Sequence, residues 1–121
     1  MRLGKKITGG KYHASRKSQK HELPGIPRIV KLRAKKTKVI RGRGGNKKLV
    51  LLSSDIANVT DFKGKTKKSK IINVMETHAN RFLARQNILI KGAIIETELG
   101  KARITNRPSQ EGTINAILIK E

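Results

Sequence analysis

The 121 residues carry 29 Lys and Arg against 8 Asp and Glu, with one Tyr, two Phe and neither Trp nor Cys. A chain of this length holds one small domain, and the missing cysteine excludes a disulfide framework, a thiolate metal site and a cysteine nucleophile. A formal net charge of +21 opposes compaction by self-repulsion unless a polyanion neutralises it.

The charge is unevenly placed. Residues 1–50 hold 17 basic residues and a single acid, Glu22, whereas residues 51–121 hold 12 basic and 7 acidic ones. Nucleic acid is the commonest polyanionic partner for such a surface, because each phosphate neutralised by Lys or Arg releases counterions. Apolar stretches such as 117–119 fall far short of a membrane span. The basic start has no apolar run behind it, so no secretory signal is expected. A cytoplasmic chain without membrane contact is the expectation. His13, His21 and His78 show no metal-ligand spacing.

From residue 1 to about 37 no period of 2 or 3.6 is sustained, and Gly4, Gly9, Gly10, Pro24, Gly25 and Pro27 break what there is. Too little apolar surface is available to offset chain entropy, so residues 1–37 are expected to be a basic extension, disordered when free and ordered on RNA. Residues 16–23 suit a helical turn once their charges are neutralised, and Pro24 ends it.

The body is expected over residues 38–121. Strand-like residues 37–40 and 49–53 flank Arg41-Gly42-Arg43-Gly44-Gly45-Asn46-Lys47-Lys48. Its glycines permit positive φ and a close backbone approach to phosphate, but it lacks the Gly-Lys-Ser/Thr of a nucleotide-binding loop. Residues 54–60 read as a turn or short strand, 61–70 as a second basic loop, and 71–75 as a strand. Residues 77–86 suit a helix capped by Thr77, with Ala79, Phe82 and Leu83 on one face. Arg81 and Arg85, four apart on the other side, suit a solvated face as well as an RNA contact. Residues 88–90, 93–98, 101–106 and 113–120 read as strands, with a Leu99-Gly100 turn and a loop over 107–112. Short strands at intervals of roughly ten residues point to a small antiparallel barrel or sandwich; a barrel, closed or nearly so, with one short helix is the expectation, because closure removes exposed strand edges.

Catalysis is not expected. The best carboxylate pair, Glu96 and Glu98, shares a strand face at i, i+2, but it suits pairing with Lys101 or Arg103 across a hairpin better than a metal-dependent nuclease. No cofactor motif or small-molecule site accompanies it. Three aromatic residues supply little base stacking, and no helix has a helix-turn-helix or zinc-finger pattern. Shape and backbone recognition remains, with Tyr12 available for local stacking. A long basic arm on a small β body suits a large folded RNA; compaction of duplex DNA is the competing reading.

The motifs themselves resemble a known family. Thr8-Gly9-Gly10-Lys11 and Arg16-Lys17-Ser18-Gln19-Lys20-His21-Glu22-Leu23 are similar to the front of ribosomal protein S8e. The segment from Arg41 to Lys48 resembles that family's Arg-x-Arg-Gly-Gly-Asn-x-Lys run. Lys91-Gly92-Ala93-Ile94-Ile95-Glu96-Thr97 and Gly100-Lys101-Ala102-Arg103-Ile104-Thr105-Asn106-Arg107-Pro108 continue the match in order. The resemblance implies a structural component of the small ribosomal subunit, bound to small-subunit rRNA and neighbouring subunit proteins, in the short archaeal form. Pro24-Gly25-Ile26-Pro27 and Thr77-His78-Ala79 depart from the family pattern.

Charge and resemblance together nominate an RNA-contacting set in five places. These are Lys5, Lys6, Thr8, Gly9, Gly10, Lys11 and Tyr12; Arg16, Lys17 and Lys20; Arg41, Arg43, Gly44, Gly45, Asn46, Lys47 and Lys48; Lys67 and Lys68; and Arg81 and Arg85.

Overall fold

The computed structural model describes residues 4–13 and 15–119; Lys120, read from sequence as part of the last strand, lies outside them. Strands β1 (Lys36–Arg41) and β2 (Lys47–Ser53) form an antiparallel hairpin. Strands β3 (Ile56–Thr60), β4 (Thr66–Glu76), β5 (Ile94–Thr97), β6 (Gly100–Ile104) and β7 (Asn115–Leu118) close a five-stranded barrel. Helix α1 (Arg81–Arg85) lies between β4 and β5, and α2 (Pro108–Glu111) between β6 and β7.

The expected small closed β-barrel is present, with one topological difference. Successive strands are antiparallel, but β3 and β7 close the barrel in parallel through Asn58/Asn115, Val59/Ala116 and Thr60/Ile117. Geometry requires this. When each strand reverses its predecessor and the count is odd, the first and fifth run the same way.

Alternation along the strands places the core. In β6, Ala102 and Ile104 are buried while Lys101 and Arg103 are exposed; in β3, Ala57 and Val59 are buried. With Ile71, Val74, Ile95, Ile114 and Ala116 these residues pack as one cluster. A five-stranded lumen is narrower than the eight-stranded barrels whose interior side chains just fill, so Ala, Val and Ile suit it. The aromatic residues lie outside it: Tyr12, Phe62 and Phe82 are each more than half exposed.

Several element boundaries differ from the sequence reading. The second basic loop is shorter than 61–70, because residues from Thr66 onward belong to β4, whose Ser69 and Ile71 point inward between outward Lys68 and Lys70. Lysines on the solvent side hid a regular strand alternation. Helix α1 covers only Arg81–Arg85, and its cap is Asn80, whose Oδ1 accepts the Phe82 N–H at 3.0 Å. Thr77 is buried instead, its hydroxyl donating to the Asn80 carbonyl at 2.5 Å. The helix face is also rotated from expectation: Ala79 and Phe82 are exposed, while Leu83 and Ala84 are half-buried. The loop over 107–112 contains α2, which makes two short α-helices and one 3-10 turn (Arg43–Gly45) among the described residues where one helix was expected; Pro108 opens α2 and Gly112, at φ 73°, ends it. Of residues 88–90, Ile88 forms only a single bridge to Lys31.

The packed body also begins upstream of residue 38. Val30 is 1% exposed and belongs to the core cluster with Leu51 and Leu89. Backbone bonds fix this segment on both sides: Lys31 N–H to the Leu52 carbonyl (3.1 Å), Leu89 N–H to the Val30 carbonyl (2.8 Å) and Leu32 N–H to the Asn87 carbonyl (3.0 Å). Flanking cations disguise Val30 and the half-buried Leu32 packed against the same core, which together serve as a strap. Val30→Ala is expected to cost about 2 kcal/mol of unfolding free energy, against less than about 0.5 kcal/mol for Val39→Ala at a position 60% exposed. Urea unfolding of the full chain measures both.

Candidate nucleic-acid interface

Several cations of the front half are presented on short, backbone-defined turns. At the N-terminus, Lys5 and Lys11 face each other across an antiparallel bridge. The Lys6 N–H donates to the Gly10 carbonyl at 2.8 Å, and the Gly9 N–H to the Lys6 carbonyl at 2.9 Å. Gly9 adopts φ 80° with open space where a Cβ would sit, so conformation rather than room calls for glycine. Thr8 stands at the turn, and the Lys6 ammonium lies 5.7 Å from the Tyr12 ring centroid, a cation–π contact. The turn thus gathers Lys5, Lys6 and Lys11 within seven residues.

Arg16 is not a lone cation. Its guanidinium holds the Glu22 carboxylate through two bonds, at 3.0 and 2.5 Å. The Gln19 N–H donates to the same carboxylate at 3.0 Å, and the Glu22 N–H returns to the Gln19 carbonyl at 3.0 Å. The helical turn expected over 16–23 is therefore one tight turn closed by the only acid of the front half. The Arg16 guanidinium, helped by the Gln19 amide, holds the Glu22 carboxyl below the ordinary glutamate value. Lys17 and Lys20 remain exposed beside it.

The Gly-rich segment is the tip of the β1–β2 hairpin. Arg41 pairs in register with Lys47, and the Gly42 N–H donates to the Asn46 carbonyl at 2.6 Å across the base of the loop. Gly44 (φ 69°) and Gly45 (φ 80°) are left-handed, whereas Gly42 is extended at φ −96°. Two of the three glycines thus use the conformational freedom expected of them. Arg41, Arg43, Lys47 and Lys48 are exposed, and among the described residues none of them forms an ion pair with a carboxylate. Lys48 is tied to the Gln110 side chain of α2, which anchors the hairpin base to the barrel.

The barrel divides the remaining candidates. Lys67 and Lys68 are neighbours in β4 and point to opposite faces. Lys67, opposite Val59, stands at a barrel mouth near Asp61 and Lys65, while Lys68, opposite Asn58, shares an outer depression with Lys35, Ser54 and Thr113. Lys35 was not singled out from sequence, because only the fold brings it to Lys68. Arg81 and Arg85 line a groove of about 780 Å³ between α1 and β4, with Asn73, Met75, Phe82 and Asn87. None of these four was legible as a site residue, since β4 and the chain after α1 meet only through the fold.

The carboxylate pair separates. Glu96 lies in β5 opposite Lys101, but β5 ends at Thr97 and Glu98 falls in the exposed turn before Gly100. The two therefore do not share a strand face. Among the described residues no group of three His, Asp or Glu side chains converges as metal ligands. No helix among them is long and apolar enough to cross a membrane.

Fold and charge together define a small cationic β-barrel that displays Lys and Arg on a Gly-containing turn and a Gly-rich hairpin tip. The description of ribosomal protein S8e matches residues 1–119, and the chain belongs to that family. It is 50% identical over 119 residues to the small ribosomal subunit protein eS8 of Sulfurisphaera tokodaii, covering 97% of this chain and 93% of that protein. The eS8 proteins of Methanocorpusculum labreanum (48% over 117 residues, 96% and 94% covered) and Methanocella arvoryzae (47% over 116 residues, 95% and 93% covered) are similar to the same extent. These archaeal relatives have nearly the length of this chain.

A carboxyl held low by a cation stabilises its contact above the ordinary glutamate pKa, and that stabilisation fades as pH falls through the lowered value. The Arg16/Glu22 contact is thus expected to be intact at neutral pH and to open in acid. Titration of the Glu22 carboxyl carbon by NMR is expected to move up toward the ordinary glutamate value in Arg16→Ala. An identical midpoint in both proteins would mean that the pair does not form in solution.

Proposed function

We propose that this chain is a structural constituent of the small ribosomal subunit, bound to small-subunit rRNA through its basic N-terminal arm and the Gly-rich hairpin tip, and that it supports subunit assembly and translation in the cytoplasm. The observation that carries the reading is the hairpin tip. Four exposed cations surround two left-handed glycines, and no carboxylate among the described residues neutralises them. Such a tip brings backbone N–H groups and guanidinium groups to a sugar-phosphate strand together.

Membership of the S8e family across the chain, and relatives named as small ribosomal subunit proteins, support the choice of rRNA among polyanions. The N-terminal turn, Lys17 and Lys20 act as a second grip. Residues 4–29 are exposed wherever described, which suits an arm that orders fully only against RNA. Neighbouring subunit proteins are the other contacts of this assembly. The chain needs neither a cofactor nor a small-molecule substrate for this role.

Electrostatics alone would also hold duplex DNA, so salt is the discriminating variable. Binding to folded small-subunit rRNA is expected to persist at physiological salt, while binding to duplex DNA of matched length collapses. Equal affinities that fall together with salt would overturn the rRNA reading in favour of generic polyanion binding. Replacing Arg41 and Arg43 together with Ala is expected to reduce the salt slope of rRNA binding by ~1.4–1.8, at ~0.7–0.9 per lost phosphate contact. An unchanged slope would place phosphate elsewhere.

A further inference from the structure

We propose that the groove between α1 and β4 seats one unstacked RNA nucleotide, with its base on the Phe82 ring and its phosphate at Arg81 and Arg85. The assignment rests on the rRNA reading above and adds a place where a base, rather than the backbone alone, is held.

Three observations converge on it. The groove, about 780 Å³, falls within the range of small-ligand sites (roughly 300–1,000 Å³). Its apolar wall is exposed: Phe82 is 58% and Met75 49% accessible. The ring is also carried on a fixed backbone. Asn80 Oδ1 accepts the Phe82 N–H, Thr77 holds the Asn80 carbonyl, and the Gln86 N–H closes the other end of α1 onto Leu83. An aromatic face held ready in this way gives up little freedom when a base stacks on it.

The polar lining is rich in donors. Arg81 and Arg85, spaced i, i+4 on α1, have no ion-pair partner among the described residues. The Val74 N–H donates to Asn73 Oδ1 at 2.9 Å and to Asn87 Oδ1 at 3.3 Å, leaving both Nδ2 groups to donate elsewhere. The lining contains one acid, Glu76, whose carboxylate lies 3.5 Å from His78 Nδ1. Guanidinium groups for phosphate, amides for base acceptors and a flat apolar ring together match a nucleotide. An acidic peptide would answer the cations and leave the ring without a stacking partner.

The chain contains no tryptophan, so Phe82→Trp in the full-length protein creates a single emitter in the groove. The probes are a short unstructured adenine RNA strand and a fully paired RNA hairpin of the same length. Trp emission is expected to be quenched by the single strand and unaffected by the hairpin at equal occupancy, with occupancy followed by anisotropy of labelled RNA. Phe82→Ala is expected to weaken single-strand binding about five- to a hundredfold without altering the salt slope, and Phe82→Tyr to restore it. Arg85→Ala is expected to lower that slope by about 0.7. Silent Trp emission while folded rRNA still binds would overturn the groove assignment and leave the rRNA reading standing. Equal quenching by poly-glutamate would overturn it in favour of an acidic peptide. Failure of the unmodified chain to bind either RNA would overturn both.

Discussion

Closure of five short strands into one barrel governs the rest of the molecule. An odd count of alternating strands forces the parallel β3/β7 seam, and five strands leave a lumen that suits Ala57, Ala102 and Ala116 between Val and Ile side chains. Each inward residue dictates an outward neighbour, because strand side chains alternate. Lys68, Lys70, Lys101 and Arg103 are outside because Ser69, Ile71, Ala102 and Ile104 are inside. The same constraint sends the aromatic residues to the surface. A ring that would dominate a larger core stands instead on α1, beside two arginines.

A small core of this kind must still hold a charge of +21. Part of that charge stands where little packing is required: on the turn from Lys5 to Lys11, on the Lys17 and Lys20 segment, and on the β1–β2 tip. Each is shaped by local hydrogen bonds rather than by burial, and the first and last also by left-handed glycines. Two links temper the picture of free cations. Glu22 engages Arg16, and Gln110 holds Lys48. The first offsets charge within the arm; the second ties a cationic hairpin to the barrel without neutralising it.

Some of this was legible from the chain because the signals are local. A Gly-rich segment between two strand-like runs marked the β1–β2 tip, and the alternation of Ala102, Arg103, Ile104 and Thr105 marked β6. Motif order over the whole length marked the family. Misreadings arose where a local signal was absent or misleading. Lysines concealed the first half of β4, residues 107–112 read as a loop although Pro108 starts α2 there, and Val30 was lost among cations although it straps the core. Thr77 suited a helix over 77–86, but the helix covers only Arg81–Arg85, and Asn80 stands at its N-cap.

The sequence by itself determined the charge asymmetry, the aliphatic β body and the glycine-marked cationic turns, since each depends on residue type and near-neighbour spacing. Only the tertiary structure decided which cations share a surface. It put Lys67 and Lys68 on opposite faces, brought Lys35 to Lys68, removed Glu98 from the strand face of Glu96, and assembled the Phe82 groove from β4, α1 and Asn87. Register and closure set those neighbours, and both depend on contacts between residues far apart in the chain, which no local pattern encodes.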